Sequence, residues 1–259
     1  MTSAHKLTAI ITGGSSGIGR ATALLLAHQG VRVWTGDLRT NPDNDAVFKP
    51  LGIAETVCDV RSEASVVALV QVAVQATGRL DIVVHSAGIV FVKQIPDVTE
   101  AEWDAVLDTN FKGAFLLAKH AIPELKRSGG GAITLVSSNA GLLPRAHDPV
   151  YSTSKAAVNG LAKSLALCHA PDKIRVNTVC PGPVADTGIV NADLNKAADP
   201  TSMAQRFIDA APLCKALGRM NTPEEIAATI AFLSSKTAEM ITGTMIAIDG
   251  GKSLGVPPA

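Results

Sequence analysis

The N-terminal segment constrains the fold more than any other part of this chain. An apolar run, Leu7-Thr-Ala-Ile-Ile11, leads into Thr12-Gly-Gly-Ser-Ser-Gly-Ile-Gly19, and a helix-like stretch follows from Arg20 to His28. Glycine has no Cβ, so it reaches positive φ and lets backbones approach closely. A helix that starts directly after such a turn presents unpaired N–H groups with a partial positive charge. Strand, turn and helix thus make a cradle for phosphate groups, with Gly13, Gly17 and Gly19 at the tight points and Ser15, Ser16 and Ile18 between them.

The same alternation continues along the chain. Short apolar runs near 7–12, 31–36, 55–58, 80–85, 132–137, 174–179 and 244–248 are separated by helical stretches near 17–29, 62–77, 99–127, 150–169 and 223–235. This predicts parallel strands joined by right-handed crossovers. The expected architecture is α/β: one doubly wound Rossmann-type domain over 1–259, with a mostly seven-stranded parallel sheet and helices on both faces. The 99–127 span reads as two helices meeting close to Leu107-Asp108. A content of 47% hydrophobic residues is ample for a sheet buried on both sides, and 259 residues suit one such domain. Ligands of such a sheet bind at the carboxyl ends of its strands.

Charge excludes several functions. Lys plus Arg and Asp plus Glu each number 23, so no global field draws in nucleic acid or an anionic membrane. No apolar stretch reaches membrane-span length and no leader precedes the first strand, so a cytoplasmic protein is expected. Cys58, Cys168, Cys180 and Cys214 lack paired spacing, and the histidines form no ligand pattern, so neither metal nor disulfide is expected.

The acid/base candidate is Tyr151 with Lys155, in Val150-Tyr-Ser-Thr-Ser-Lys155. Their i, i+4 spacing puts both side chains on one helix face. Moving a phenol from a pKa of about 10 to about 7 takes roughly 4 kcal/mol of preferential phenolate stabilisation, which a neighbouring ammonium supplies.

These residues together resemble the short-chain dehydrogenase/reductase family, over about Lys6 to Gly251. The resemblance rests on Thr-Gly-x-x-x-Gly-x-Gly followed much later by Tyr-x-x-x-Lys. It implies that Asn110 in Asp108-Thr-Asn-Phe-Lys-Gly113, Ser138 in Val136-Ser-Ser-Asn-Ala-Gly141, Tyr151 and Lys155 form the catalytic set, with Tyr151 and Lys155 also touching the cofactor. It further implies cofactor contacts at Asp59 and Val60 near the adenine, at Ala87 and Gly88 after the fourth strand, and at Pro181, Gly182, Val184 and Thr187 near the nicotinamide. A homotetramer is implied as well, packed through helices carrying Ala114, Ala118, Ala156, Ala157, Gly160 and Ala162.

Two departures stand out. His85-Ser-Ala-Gly88 replaces the common Asn-Asn-Ala-Gly, and the expected role of His85 is a buried histidine hydrogen-bonded to backbone. Pro181-Gly-Pro-Val-Ala-Asp-Thr187 carries one residue more than the usual pattern before its threonine. Residues 187–216 read as a lid over the substrate, and Leu142-Leu-Pro-Arg-Ala-His-Asp-Pro149 as a pocket-lining loop. Arg145 and His147 there are either exposed rim residues or binders of a polar substrate group.

The second strand ends at Asp37. A carboxylate there accepts hydrogen bonds from ribose hydroxyls and repels a 2′-phosphate. Two like charges about 5 Å apart, at an effective dielectric of about 20, cost roughly 3 kcal/mol, on the order of a hundredfold. Arg39 is two residues removed, so NAD is expected over NADP. The function expected is hydride transfer between a small secondary alcohol or ketone and NAD. The alternatives are an NADPH-dependent 3-oxoacyl-(acyl-carrier-protein) reductase and a non-enzymatic NAD-binding sensor or scaffold.

Overall fold

The computed structural model describes residues 6–255, so the two ends of the expected 1–259 domain lie outside the described residues. The elements run β1 (Thr8–Thr12), α1 (Gly17–His28), β2 (Arg32–Asp37), α2 (Asp45–Leu51), β3 (Ala54–Val57), α3 (Glu63–Thr77), β4 (Ile82–His85), α4 (Glu100–Leu107), α5 (Gly113–Arg127), β5 (Gly131–Val136), α6 (Pro149–His169), β6 (Ile174–Pro181), α7 (Gly188–Lys196), α8 (Pro200–Asp209), α9 (Pro212–Leu217), α10 (Pro223–Ser234) and β7 (Met245–Ile248). The strands form one parallel sheet in the order β3-β2-β1-β4-β5-β6-β7. Strand order reverses between β1 and β4, which opens a crevice at their carboxyl ends.

Side chains alternate across the sheet, so each central strand feeds two cores. Ile10, Val83, Ile133, Leu135 and Val176 pack with Leu69, Leu117, Leu125 and Val158 beneath α3, α5 and α6. Ile11, Val33, Val84, Val136 and Val179 pack with Leu26, Ile226 and Ile230 beneath α1 and α10. Burial on both faces explains why these strands read as continuous apolar runs rather than as alternating ones. Edge strands β3 and β7 have one neighbour each and stay partly exposed.

The 99–127 span differs from expectation in one respect. It does not break at Leu107-Asp108; Asp108–Lys112 forms a π-turn that joins α4 to α5. Such turns insert an extra residue into the helical ladder and occur often at functional sites. Here the turn carries Asn110, fully buried, toward β4.

Residues 187–216 are three short helices, α7 to α9. Their starts carry helix signals: Thr187 caps α7 by accepting from Val190 N–H, Asp199 caps α8 through Ser202 N–H, and Pro200 and Pro212 occupy first-turn positions. No described helix is long and apolar enough to cross a membrane.

Candidate active site

The glycine turn is shaped by close approach. A Cβ on Gly13 would lie 2.6 Å from Ala87 N, and one on Gly19 would lie 2.1 Å from Gly13 O. Gly17 sits at φ +50°, where a side chain is strained. Ser16 is the N-cap of α1 but its hydroxyl makes no cap, and the first turn holds no acidic residue. The first N–H groups of α1 therefore remain available to an anion in the crevice. That fits the pyrophosphate of a dinucleotide.

The crevice is a cleft of about 500 Å³. Gly13, Ser16, Gly17, Ile18, Asp37, Asp59, Val60, Ala87, Gly88, Ser138, Tyr151, Lys155, Pro181, Gly182, Val184 and Thr187 all line it. Ser15, Gly19 and Asn110 do not. Gly19 packs against Gly13, and Ser15 is turned onto Asp37, donating to Oδ2 from its hydroxyl at 2.5 Å and from its N–H at 3.3 Å.

At the adenosine end, Asp37 closes β2 with its Oδ1 accepting from Leu38 N–H at 2.8 Å. Arg39 is exposed and off the cleft wall. Arg61 is on the wall, but it forks onto Asp59, with contacts of 2.7 to 3.2 Å. That hydrogen-bonded ion pair holds the Asp59 carboxyl below the usual range. No cation facing this end is left without a carboxylate partner to receive a 2′-phosphate.

At the other end, α6 brings Tyr151 and Lys155 into the cleft. Lys155 is fully buried, donates to Val136 O at 3.0 Å and stands 5.8 Å from the centre of the Tyr151 ring. Burial pushes its ammonium pKa down to about 8. Ser138 follows β5; its hydroxyl accepts from Ala140 N–H at 3.1 Å and donates to Asn139 Oδ1 at 3.3 Å. Asn110 stands behind. Its carbonyl accepts from Ile89 N–H at 2.8 Å, and its amide donates to Ile89 O and to Ser154 Oγ at 2.9 and 3.0 Å. These bonds tie the strand-end segment at Gly88 to α6. A Cβ on Gly88 would come within 3.2 Å of both Asn110 Oδ1 and Lys155 Nζ, so this position has little room for a side chain.

His85 is buried, but its partner is a side chain rather than backbone: Nδ1 pairs with Thr12 Oγ1 at 2.9 Å. Its Nε2 lies near the backbone of Thr109 and Asn110 in the π-turn without reaching hydrogen-bond geometry. Burial, reinforced by Lys155, lowers its pKa from 6.5 to about 3. The unfolded chain then takes up this proton first as pH falls. Stability contributed by the neutral ring is complete above about 6.5 and is lost progressively down to about 3, at most about 1.4 kcal/mol per pH unit. His85→Asn is expected to flatten the acid limb of a melting-temperature profile over that window. An unchanged limb would show that other groups set it.

The extra residue before Thr187 is absorbed by Asp186, which adopts a left-handed φ of +55°. Thr187 is thereby brought against the glycine turn, with its methyl 3.2 Å from where a Gly17 Cβ would sit. Arg145 is neither a free rim residue nor an open anion site: it pairs with Asp148. His147 is exposed and off the cleft wall. What sequence reading missed is the apolar wall formed by Val90, Val92, Ile189, Val190, Ala192 and Phe207. Among the described residues no group of histidines, cysteines and carboxylates is arranged for a metal, and the four cysteines are free thiols.

With a dinucleotide cradle and an acid/base pair opening on one cleft, the molecule is an oxidoreductase of CH–OH and C=O groups that uses NAD or NADP. It belongs to the short-chain dehydrogenase/reductase family. The family model described as enoyl-(acyl carrier protein) reductase matches residues 13–253. The chain is 38% identical over 250 residues to cis-4-hydroxycyclohexanecarboxylate dehydrogenase of Sinomonas cyclohexanicum, covering 94% of this chain and 95% of the relative. An uncharacterized oxidoreductase of Thermotoga maritima is also 38% identical, over 248 residues, covering 94% and 96%. The ligand-free structure of Thermoplasma acidophilum aldohexose dehydrogenase aligns with a TM-score of 0.88 at 30% identity, over 98% of this chain and 97% of that one.

Proposed function

We propose that the protein is an NAD(H)-dependent dehydrogenase that interconverts an apolar secondary alcohol and its ketone, with Tyr151, Lys155, Ser138 and Asn110 as its working residues. The observation that carries this reading is a fully buried lysine beside a buried phenol on the cleft wall. When bound, the nicotinamide accepts or returns a hydride. Tyr151 as phenolate takes the hydroxyl proton in oxidation and returns it in reduction. Lys155 stabilises the phenolate while it remains an ammonium, which its lowered pKa restricts to pH values below about 8. Ser138 donates to the substrate oxygen and fixes its approach. Asn110 holds Gly88 and Ile89 against α6 and offers the π-turn backbone as the anchor of a water leading from Lys155 to solvent.

The substrate end is walled by valine, isoleucine and phenylalanine, which suits a cyclic or aliphatic carbon skeleton better than a sugar. A sugar hydroxyl needs a polar partner, and an unpaired one inside such a wall costs about 1–3 kcal/mol. The cyclohexane substrate in the name of one relative agrees with this; the aldohexose of another points the other way. The protein is further proposed to be a homotetramer. Ala114, Ala118 and Ala162 are spent on the chain's own core, so the interface rests on Ala156, Ala157 and Gly160, with Phe115 and Leu167 exposed nearby on the paired helices.

A second reading, an NADPH-dependent acyl-carrier reductase, is favoured by the description of the matching family model. Fluorescence titration with NADH and NADPH, followed by a panel of secondary alcohols, sugars, ketones and a 3-oxoacyl thioester, separates the two. Tighter NADH binding with turnover of a cyclic or aliphatic alcohol is expected. Tighter NADPH binding with thioester turnover would install the second reading. Tight NAD binding with no turnover at all would make the protein a sensor or scaffold.

A further inference from the structure

The loop before α6 places a second cation on Tyr151. The guanidinium carbon of Arg145 lies 5.3 Å from the centre of the Tyr151 ring, slightly nearer than Lys155 Nζ at 5.8 Å. Arg145 is fixed there. Its Nε donates to Asp148 Oδ1 at 3.2 Å and a terminal nitrogen donates to Asp148 Oδ2. Asp148 is 3% exposed and also accepts from Ser152 Oγ at 3.1 Å, one residue beyond Tyr151 on α6. The backbone N–H of Arg145 donates to the same Ser152 hydroxyl at 3.4 Å. Loop, helix start and phenol are thus one bonded unit.

We propose that Arg145, held by Asp148, is a positioning residue that stabilises the Tyr151 phenolate alongside Lys155, so that the acidity of the catalytic phenol is set by cations from two separate segments. The inference rests on the acid/base reading of Tyr151. A planar guanidinium over an aromatic ring is a favourable contact in itself, and it becomes more so when the ring carries negative charge. Asp148 opposes Arg145, which makes the pair an adjustable source of field. The other charged and titratable groups around this cluster are His147 in the same loop, Lys252 and Asp249 following β7, and Cys180 on β6 and His85 on β4, the last two beside Lys155. Burial disfavours the charged forms of Asp148, Cys180 and His85.

Tyr151 is the only tyrosine in the chain, so its ionisation is read directly in the near-ultraviolet phenolate band without any need for turnover. The test titrates wild type, Arg145→Met, Arg145→Lys and Asp148→Asn, with the pH profile of kcat/KM measured in parallel. Arg145→Met is expected to raise the phenol pKa by about one unit, a roughly tenfold loss of phenolate; this is about half the effect of an unopposed charge about 6 Å away at an effective dielectric of about 20. Arg145→Lys should recover part of that shift. Asp148→Asn removes the opposing charge and should move the pKa downward, a reversal that a purely structural role would not produce. A phenol that titrates at the same pH in all four proteins overturns the proposal. If Tyr151→Phe keeps its turnover, the acid/base reading fails instead, and the titration still stands on its own. Melting temperatures report folding separately, and the lysine and asparagine variants retain hydrogen-bonding groups should the methionine variant not fold.

Discussion

Tyr151→Phe is expected to lower turnover by about a thousandfold while NADH affinity changes by less than about twofold. Positioned acid/base groups contribute about 10² to 10⁴ in rate, and this substitution removes only the oxygen that carries the proton. The ring remains: it is 5% exposed, and its neighbours Arg145 and Lys155 are anchored to Asp148 and Val136 rather than to the phenol oxygen. Fold and cradle should therefore survive. Steady-state rates on the alcohol found in the panel, with a fluorescence titration of NADH, give both numbers. A variant retaining more than a tenth of the wild-type rate would refute the assignment.

Asp37→Asn should swing the ratio of NADH to NADPH affinity by about a hundredfold toward NADPH, the effect of removing one like charge about 5 Å from a 2′-phosphate. Asparagine keeps a carbonyl for Leu38 N–H, and the Ser15 hydroxyl can accept where it formerly donated, so the turn should hold its shape. Removing the carboxylate also leaves Arg39 as an exposed cation two positions along the same segment. Paired titrations of the two cofactors on both proteins give the ratio directly. A swing of less than about threefold would mean that the carboxylate does not govern cofactor choice.

The parts of the fold legible in the sequence are those fixed by local chemistry. The glycine turn is dictated by backbone geometry, and the spacing of Tyr151 and Lys155 by helix pitch. The central strands announce themselves as apolar runs because both of their faces are buried. The π-turn at Asp108–Lys112 was not legible, since the sequence pattern of a helix does not show where one extra residue enters its ladder. The helices of 187–216 were under-read because they are short and their apolar residues serve a cleft rather than a core. Their caps at Thr187 and Asp199 and the prolines after them were visible signals that helical periodicity alone passes over. The pairing of Arg145 with Asp148 lies between, since two oppositely charged residues in a loop declare no geometry until the helix after them is built.

The division of labour along the chain has an evolutionary consequence. The proposed proton-handling side chains come from the end of β5 and from α6, and the cofactor contacts from the strand ends and from α1, all seated on the sheet. Most of the apolar substrate wall instead belongs to α7 and α8, which form one continuous segment beginning at the Thr187 cap. Substitutions between Gly188 and Asp209 can therefore drift, or be exchanged as a block, and retarget the enzyme while the hydride-transfer apparatus is inherited unchanged. The architecture separates what is reacted upon from how it is reacted, and a lineage built on it can acquire new substrates without first losing the old chemistry.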